Sequence, residues 1–192
     1  AQGNDAWFLA STPALQFYEL AVFNGWLYIG GFDPAGGYTV LKTRAQGTPP
    51  YPLTLVVPPG ANLNVRPSRS VVSMHEYSGR LDVGTGTQTE IVRINPDDTW
   101  DLVIGPPRTS GGELKYPISG LDAGFGHTLN DHAWQMEDPY HFLYVGTYNA
   151  STGERFDPVF GPLLRHNMGA HLYRTPDSWY FSPVTTNGFA RP

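Results

Sequence analysis

The segment from Gly126 to Asp138 is the densest in groups that can do chemistry. It holds two imidazoles (His127, His132), two amides (Asn130, Gln135) and three carboxylates (Asp131, Glu137, Asp138) within thirteen residues. Imidazole nitrogen and carboxylate oxygen are metal donors, so a metal ion could bind here, but the spacing matches no recognised metal motif and none is required. The same groups could hold a polar ligand, with His127, Asn130, Asp131 and His132 as hydrogen-bonding residues and Trp134 beside them. A polar loop built from Asx turns would use the same residues. A second polar group, Asn62, Asn64, Arg66 and Arg69, brings two guanidinium groups that could clamp a carboxylate or phosphate, or pair with nearby acids and carbonyls.

Other chemistries are excluded. With no cysteine there is no disulfide, thiolate metal site or Cys nucleophile. There is no G-x-S-x-G elbow, P-loop, dinucleotide fingerprint or H-E-x-x-H pair. Seventeen acidic against twelve basic residues give a net charge of −5, which argues against a nucleic-acid surface. No apolar run approaches the roughly 18 residues of a membrane span.

These residues must be positioned by β structure. Among 192 residues, 22 Gly and 18 Pro are too many for a helical bundle, and 5 Trp, 11 Tyr and 10 Phe are too many for a disordered chain. One pattern recurs three times: Phe23–Gly31, Tyr77–Thr85 and Tyr140–Thr147, anchored on Leu27, Leu81 and Leu143 at intervals of 54 and 62 residues. Asn24-Gly25 is the preferred centre of a type I′ turn and Ser78-Gly79 a weaker one, so each copy predicts a β-hairpin. A third strand follows at Tyr38–Thr43, Thr89–Ile94 and Ala170–Thr175, and a fourth at Pro52–Val57, Trp100–Ile104 and Trp179–Thr185. Four short antiparallel strands in about 50–60 residues make the unit of a β-propeller blade.

The third copy resembles a blade of the kelch-like bacterial propeller repeats, which read roughly as LYVGT, then GAELWRT, then a Trp and a closing NGFG. The matching residues are Leu143–Thr147, Gly169–Thr175, Trp179 and Asn187-Gly188-Phe189, with His171 and Tyr173 in place of the usual Glu and Trp. The resemblance implies an all-β partial propeller of about three blades, near residues 14–60, 66–105 and 130–186, and implies no particular activity. Closed propellers have about 4–8 blades, so completion is expected from further copies of the chain, from a second blade-bearing chain, or from the rest of a longer protein of which this is one piece.

In that architecture the first strand of each blade lines a channel. Counting back from the leucines aligns Gln16, Ser70 and His132 at its mouth, then Tyr18, Val72 and Trp134, then Leu20, Met74 and Met136. Trp26, Trp100 and Trp179 are expected as filling between blades, and Trp7 and Trp134 as exposed or ligand-binding, since a Trp face packs on a sugar ring. The loops 106–122 and 151–167 are long enough to carry function or to cover a neighbouring subunit.

The expected function is a non-catalytic binding or assembly module that binds a glycan through Gln16, Arg69, His127, Asn130, Asp131, His132 and Trp134. Two alternatives stay open. One is a glycan-active lyase or hydrolase centred on His127, Asp131 and His132; the other is a structural subunit polymerising through open ends. The opening residues Ala1–Asp5 suit a mature end left by signal removal, so an extracellular or periplasmic location is expected.

Overall fold

A computed structural model describes residues 16–32, 36–164 and 168–189; Trp7, Arg165 and His166 lie outside the described residues. Three four-stranded antiparallel meanders follow one another. The first is β1 (Gln16–Phe23), β2 (Trp26–Phe32), β3 (Thr39–Thr43) and β4 (Thr54–Val57). The second is β5 (Ser70–Tyr77), β6 (Arg80–Gly86), β7 (Ile91–Ile94) and β8 (Trp100–Ile104). A small hairpin, β9 (Arg108–Ser110) and β10 (Glu113–Lys115), intervenes. The third meander is β11 (Asn130–Glu137), β12 (Leu143–Asn149), β13 (Leu172–Thr175) and β14 (Ser182–Thr185). In each meander every strand pairs with the next in sequence.

The local chemistry explains the hairpins. Asn24 and Gly25 take φ of 48° and 73°, and Ser78 and Gly79 take 50° and 71°, the left-handed pair that a two-residue hairpin needs. Tyr140 and His141 hold the same place before Leu143 and take 59° and 70° without a glycine. The Tyr77 hydroxyl can donate to the His141 or the Pro176 carbonyl, each at 2.8 Å, and helps hold this turn. In each first strand the pairing skips a residue at the same aligned place, Tyr18, Val72 and Trp134, and in β11 it also skips Asp131. The aligned β-bulges turn these side chains out of the ladder.

Single backbone pairs join the meanders, Phe32 with Ser70 and Gly86 with His132. A continuous row of cross-strand partners therefore runs Gln16, Phe32, Ser70, Gly86, His132, Tyr148. The expected alignment of Gln16, Ser70 and His132 is thus present in the backbone register.

Two apolar layers hold the meanders together. One packs Tyr28, Val40 and Val57 with Leu81, Val92 and Leu102; the other packs Ile91, Val103 and Ile104 with Leu143, Val145 and Tyr173. The middle meander is covered on both faces, so all four residues of β7 are buried and the usual alternation with polar residues is lost. Polar contacts add to each layer: Tyr28 donates to Asp98 at 2.9 Å beside the Lys42–Asp98 pair, and Ser178 donates to Asp82 at 3.3 Å.

The tryptophans divide differently from expectation. Trp100 is buried and Trp26 packs against the first layer under Lys42 and Arg44, but Trp179 is exposed. Six residues separate Ile94 from Trp100 and Thr175 from Phe181, so it is Phe181 that falls in register with Trp100 and is buried. Trp179 stays on the turn. The loop after β12 forms a 3-10 turn (Ala150–Phe156) and a short helix α1 (Phe160–Leu164), which pack on each other. No helix among the described residues is long and apolar enough to cross a membrane.

Candidate functional site

His132 and Trp134 stand at the start of β11, one in the cross-strand row and the other on its bulge. The His132 ring lies against Gly86, where a Cβ would come within 2.6 Å of its Cδ2; the missing side chain makes room for the imidazole. The ring meets Trp134 edge-on at 5.3 Å and Tyr148 at 5.6 Å, and Trp134 and Tyr148 lie 6.1 Å apart. Asp131 Oδ2 is 3.0 Å from His132 Nδ1 but without hydrogen-bond alignment, so that nitrogen is buried without a hydrogen-bond partner. Trp134 is 51% and Tyr148 42% exposed, and with Gln135, Gly146 and Thr147 they line an open, mainly apolar cleft.

His127 belongs to a different cleft. Together with Arg66, Gln88, Asp122 and Thr128 it lines a cavity of mixed polarity, about 470 Å³, between the second meander and the loop before β11. That volume lies in the range of small-ligand pockets, roughly 300–1,000 Å³. Asn130 sits at its edge, but the side-chain amide is committed inside the fold. Its nitrogen donates to Gly124 O at 2.9 Å and lies 3.0 Å from His171 Nδ1, and its oxygen accepts from Thr147 and Asn149 at 3.2 and 3.0 Å. Asn130 therefore anchors the start of β11, with Asp131, His132 and Trp134 beyond it. The thirteen-residue segment is divided: His127 packs on His171, and Asp131 and His132 pack with Trp134 and Tyr148.

Arg69 and Gln16 are exposed and line neither cleft. Arg69 donates its backbone N–H to Gly86 O at 3.2 Å and to Thr87 Oγ1 at 3.1 Å; among the described residues its guanidinium makes no hydrogen bond or ion pair. It is next in sequence to Ser70, which shares the row with Gln16 and His132.

Two residues outside the expected set belong to these sites. Tyr148 completes the aromatic cluster, and its position two residues after Gly146 in the repeated hairpin was the signal for it. His171 is buried, and its Nε2 has no hydrogen-bond partner among the described residues. Asn130 donates toward Nδ1, which leaves the proton on Nε2. Burial, then the nearby His127, holds the His171 pKa below the usual imidazole range. The signal was its place in the third strand, where the resembled repeat carries Glu. Among the described residues no group of three or more His, Asp or Glu side chains could hold a metal ion.

No family model, curated protein or solved structure matches this chain.

Proposed function

We propose that the three meanders are blades of a partial, kelch-like β-propeller, and that the protein is a non-catalytic module that binds a glycan at the mouth of the third blade. One observation carries the reading: Trp134 and Tyr148 expose flat aromatic surface around an apolar cleft, with the Asp131–His132 pair beside them. A sugar ring offers C–H faces for the aromatic groups and hydroxyls for the carboxylate and imidazole. The bulge at Trp134 supports this role, because bulges re-aim side chains next to binding sites. Completion of the ring by another copy or by a blade-bearing partner chain belongs to the same reading, and so does an extracellular or periplasmic location.

The test is an oligosaccharide array followed by fluorescence titration of the best hit. Trp134→Ala and Tyr148→Phe separate the platform from the hydroxyl. Trp134→Ala is expected to weaken binding about ten-fold or more with an unchanged melting temperature. An array without hits, or a hit indifferent to Trp134→Ala, overturns the reading.

A further inference from the structure

The two contacts between meanders are built alike. In the first, Val71 and Met74 of β5 close over Gly30; in the second, Ala133 and Met136 of β11 close over Gly84. A Cβ on Gly30 would come within 2.6 Å of Val71, and one on Gly84 within 2.6 Å of Met136. Gly146 holds the same place, three residues after Leu143 as Gly30 is after Leu27 and Gly84 after Leu81. Yet the nearest atom to a Cβ there is Gln135 O at 3.9 Å. The groove that receives a first strand in the first two meanders is open in the third.

The opposite face of the chain carries matching knobs. Phe17 and Leu20 hold in β1 the positions of Val71 and Met74 in β5 and of Ala133 and Met136 in β11, but they are 41% and 59% exposed. Leu55 pairs with Leu41 as Leu102 pairs with Val92, but Leu55 is 54% exposed where Leu102 is 1%.

A third feature gives the direction of the contact. Gly60-Ala61, Gly124-Phe125 and Gly188-Phe189 adopt one left-handed conformation, with φ of 57° and 48°, 70° and 60°, and 65° and 59°. Each glycine donates its N–H to the same place in the preceding meander, the carbonyls of Tyr38, Thr89 and Ala170. The first two turns bury Ala61 and Phe125 against the next meander, where Phe125 stacks on Tyr173 at 3.9 Å. Phe189 is exposed. The residue of the first meander that corresponds to Tyr173 is Leu41, by its pairing two residues past the anchoring leucine.

We infer that a second copy of this chain docks head to tail on the first. Phe17 and Leu20 of one copy close over Gly146 of the other, and Phe189 packs on the first meander of the partner copy beside Leu41. The count of copies rests on the propeller reading above. Closed rings take roughly four to eight meanders, so among rings built of copies of this three-meander chain nine from three copies are too many, and six from two copies close with two identical contacts.

Sedimentation equilibrium of the purified chain at about 1–100 µM tests this, with Leu20→Asp damaging the inserting face and Gly146→Val the receiving face. The wild type is expected to be a dimer, and each variant a monomer with an unchanged melting temperature below the dissociation concentration. Mixing the two variants restores a dimer, because one of its two contacts is then wild type on both sides. If Gly146→Val fails to melt cooperatively, Phe189→Ser probes the same contact. A monomeric wild type, a dimer indifferent to the substitutions, mass growing beyond the dimer, or no recovery on mixing each overturns the inference. Gly146 also lines the cleft proposed for sugar, so docking takes the Gly146 end of that cleft and sugar binding is read only on the wild type and on Leu20→Asp, whose substitution lies outside it: a monomeric wild type that binds sugar overturns the docking alone, and a dimer whose Leu20→Asp monomer binds no sugar overturns the glycan reading alone.

Discussion

Met136 occupies the space that a side chain at Gly84 would need: its Cε would lie 2.6 Å from a Cβ there. Met136 belongs to the third meander and Gly84 to the second, and Ser73 Oγ at 2.5 Å and Ala133 Cβ at 2.8 Å crowd the same point, so a methyl group there would press on both sheets. Gly84→Ala is expected to cost about 1–3 kcal/mol by overpacking. Gly146→Ala meets nothing closer than 3.9 Å within the chain and is expected to gain about 0.4–1 kcal/mol through the unfolded state. Urea unfolding of both variants in the dissociated chain measures the contrast. Equal effects would refute it.

Asp82 is fully buried between the second and third meanders, where one carboxylate oxygen accepts from Ser178 and the other has no partner among the described residues. Burial pushes its pKa up from 3.8 to about 7, against the pull of Arg93 and Arg80. The sign follows from linkage. Between about pH 4 and 7 the folded protein keeps a proton that the unfolded chain releases, so stability falls as pH rises through this window and levels off above it. Asp82→Asn removes the charge. It should stabilise the protein at pH 8 by an amount on the order of 2–4 kcal/mol and change little near pH 4. Melting temperatures of both proteins from pH 4 to 8 should diverge with rising pH; parallel curves would sink the assignment.

The repeated hairpins were legible in the sequence because their signals are local. Asn24-Gly25 and Ser78-Gly79 fix turns by backbone preference, and the leucine anchors carried the register that aligns Gln16, Ser70 and His132. What stayed hidden depends on contacts distant in sequence. Trp179 and Phe181 lie two residues apart, and only the cross-strand register decides that Phe181 is the one buried. Likewise, the segment around His127 and His132 looks like one site until Asn130 is seen to be bonded to Gly124, Thr147 and Asn149, with a cleft on either side. The loop 106–122 hides the hairpin β9–β10, whose two three-residue strands carry no periodicity long enough to read.

Glu90 and Arg108 form an ion pair with both side chains buried, and Arg108 also donates to Gly60 O at 3.1 Å, which ties the β9 hairpin to the Gly60-Ala61 turn after the first meander. Removing one partner strands the other charge away from water. Arg108→Ala is expected to cost about 3–5 kcal/mol, while the double variant Glu90→Leu/Arg108→Met recovers most of the loss. A double-mutant cycle in urea reads this directly. A small loss for Arg108→Ala alone would show that water reaches Glu90.

The turn at Tyr140-His141 reaches with two side-chain-bearing residues the conformation that Asn24-Gly25 and Ser78-Gly79 reach with a glycine. Holding such residues at positive φ costs about 1 kcal/mol or more each, and the position persists because the surrounding structure fixes it. Tyr77 supplies part of that restraint, since its hydroxyl lies 2.8 Å from the His141 carbonyl. The bond is to the backbone, so a glycine at 141 keeps it. His141→Gly is therefore expected to stabilise the protein by up to about 1 kcal/mol, less the entropy that glycine adds to the unfolded chain. Tyr77→Phe should destabilise the wild type by about 1 kcal/mol and the His141→Gly variant by less, because a relaxed turn needs less restraint. Equal losses in the two backgrounds would mean that the Tyr77 hydroxyl does not hold the strained turn in place.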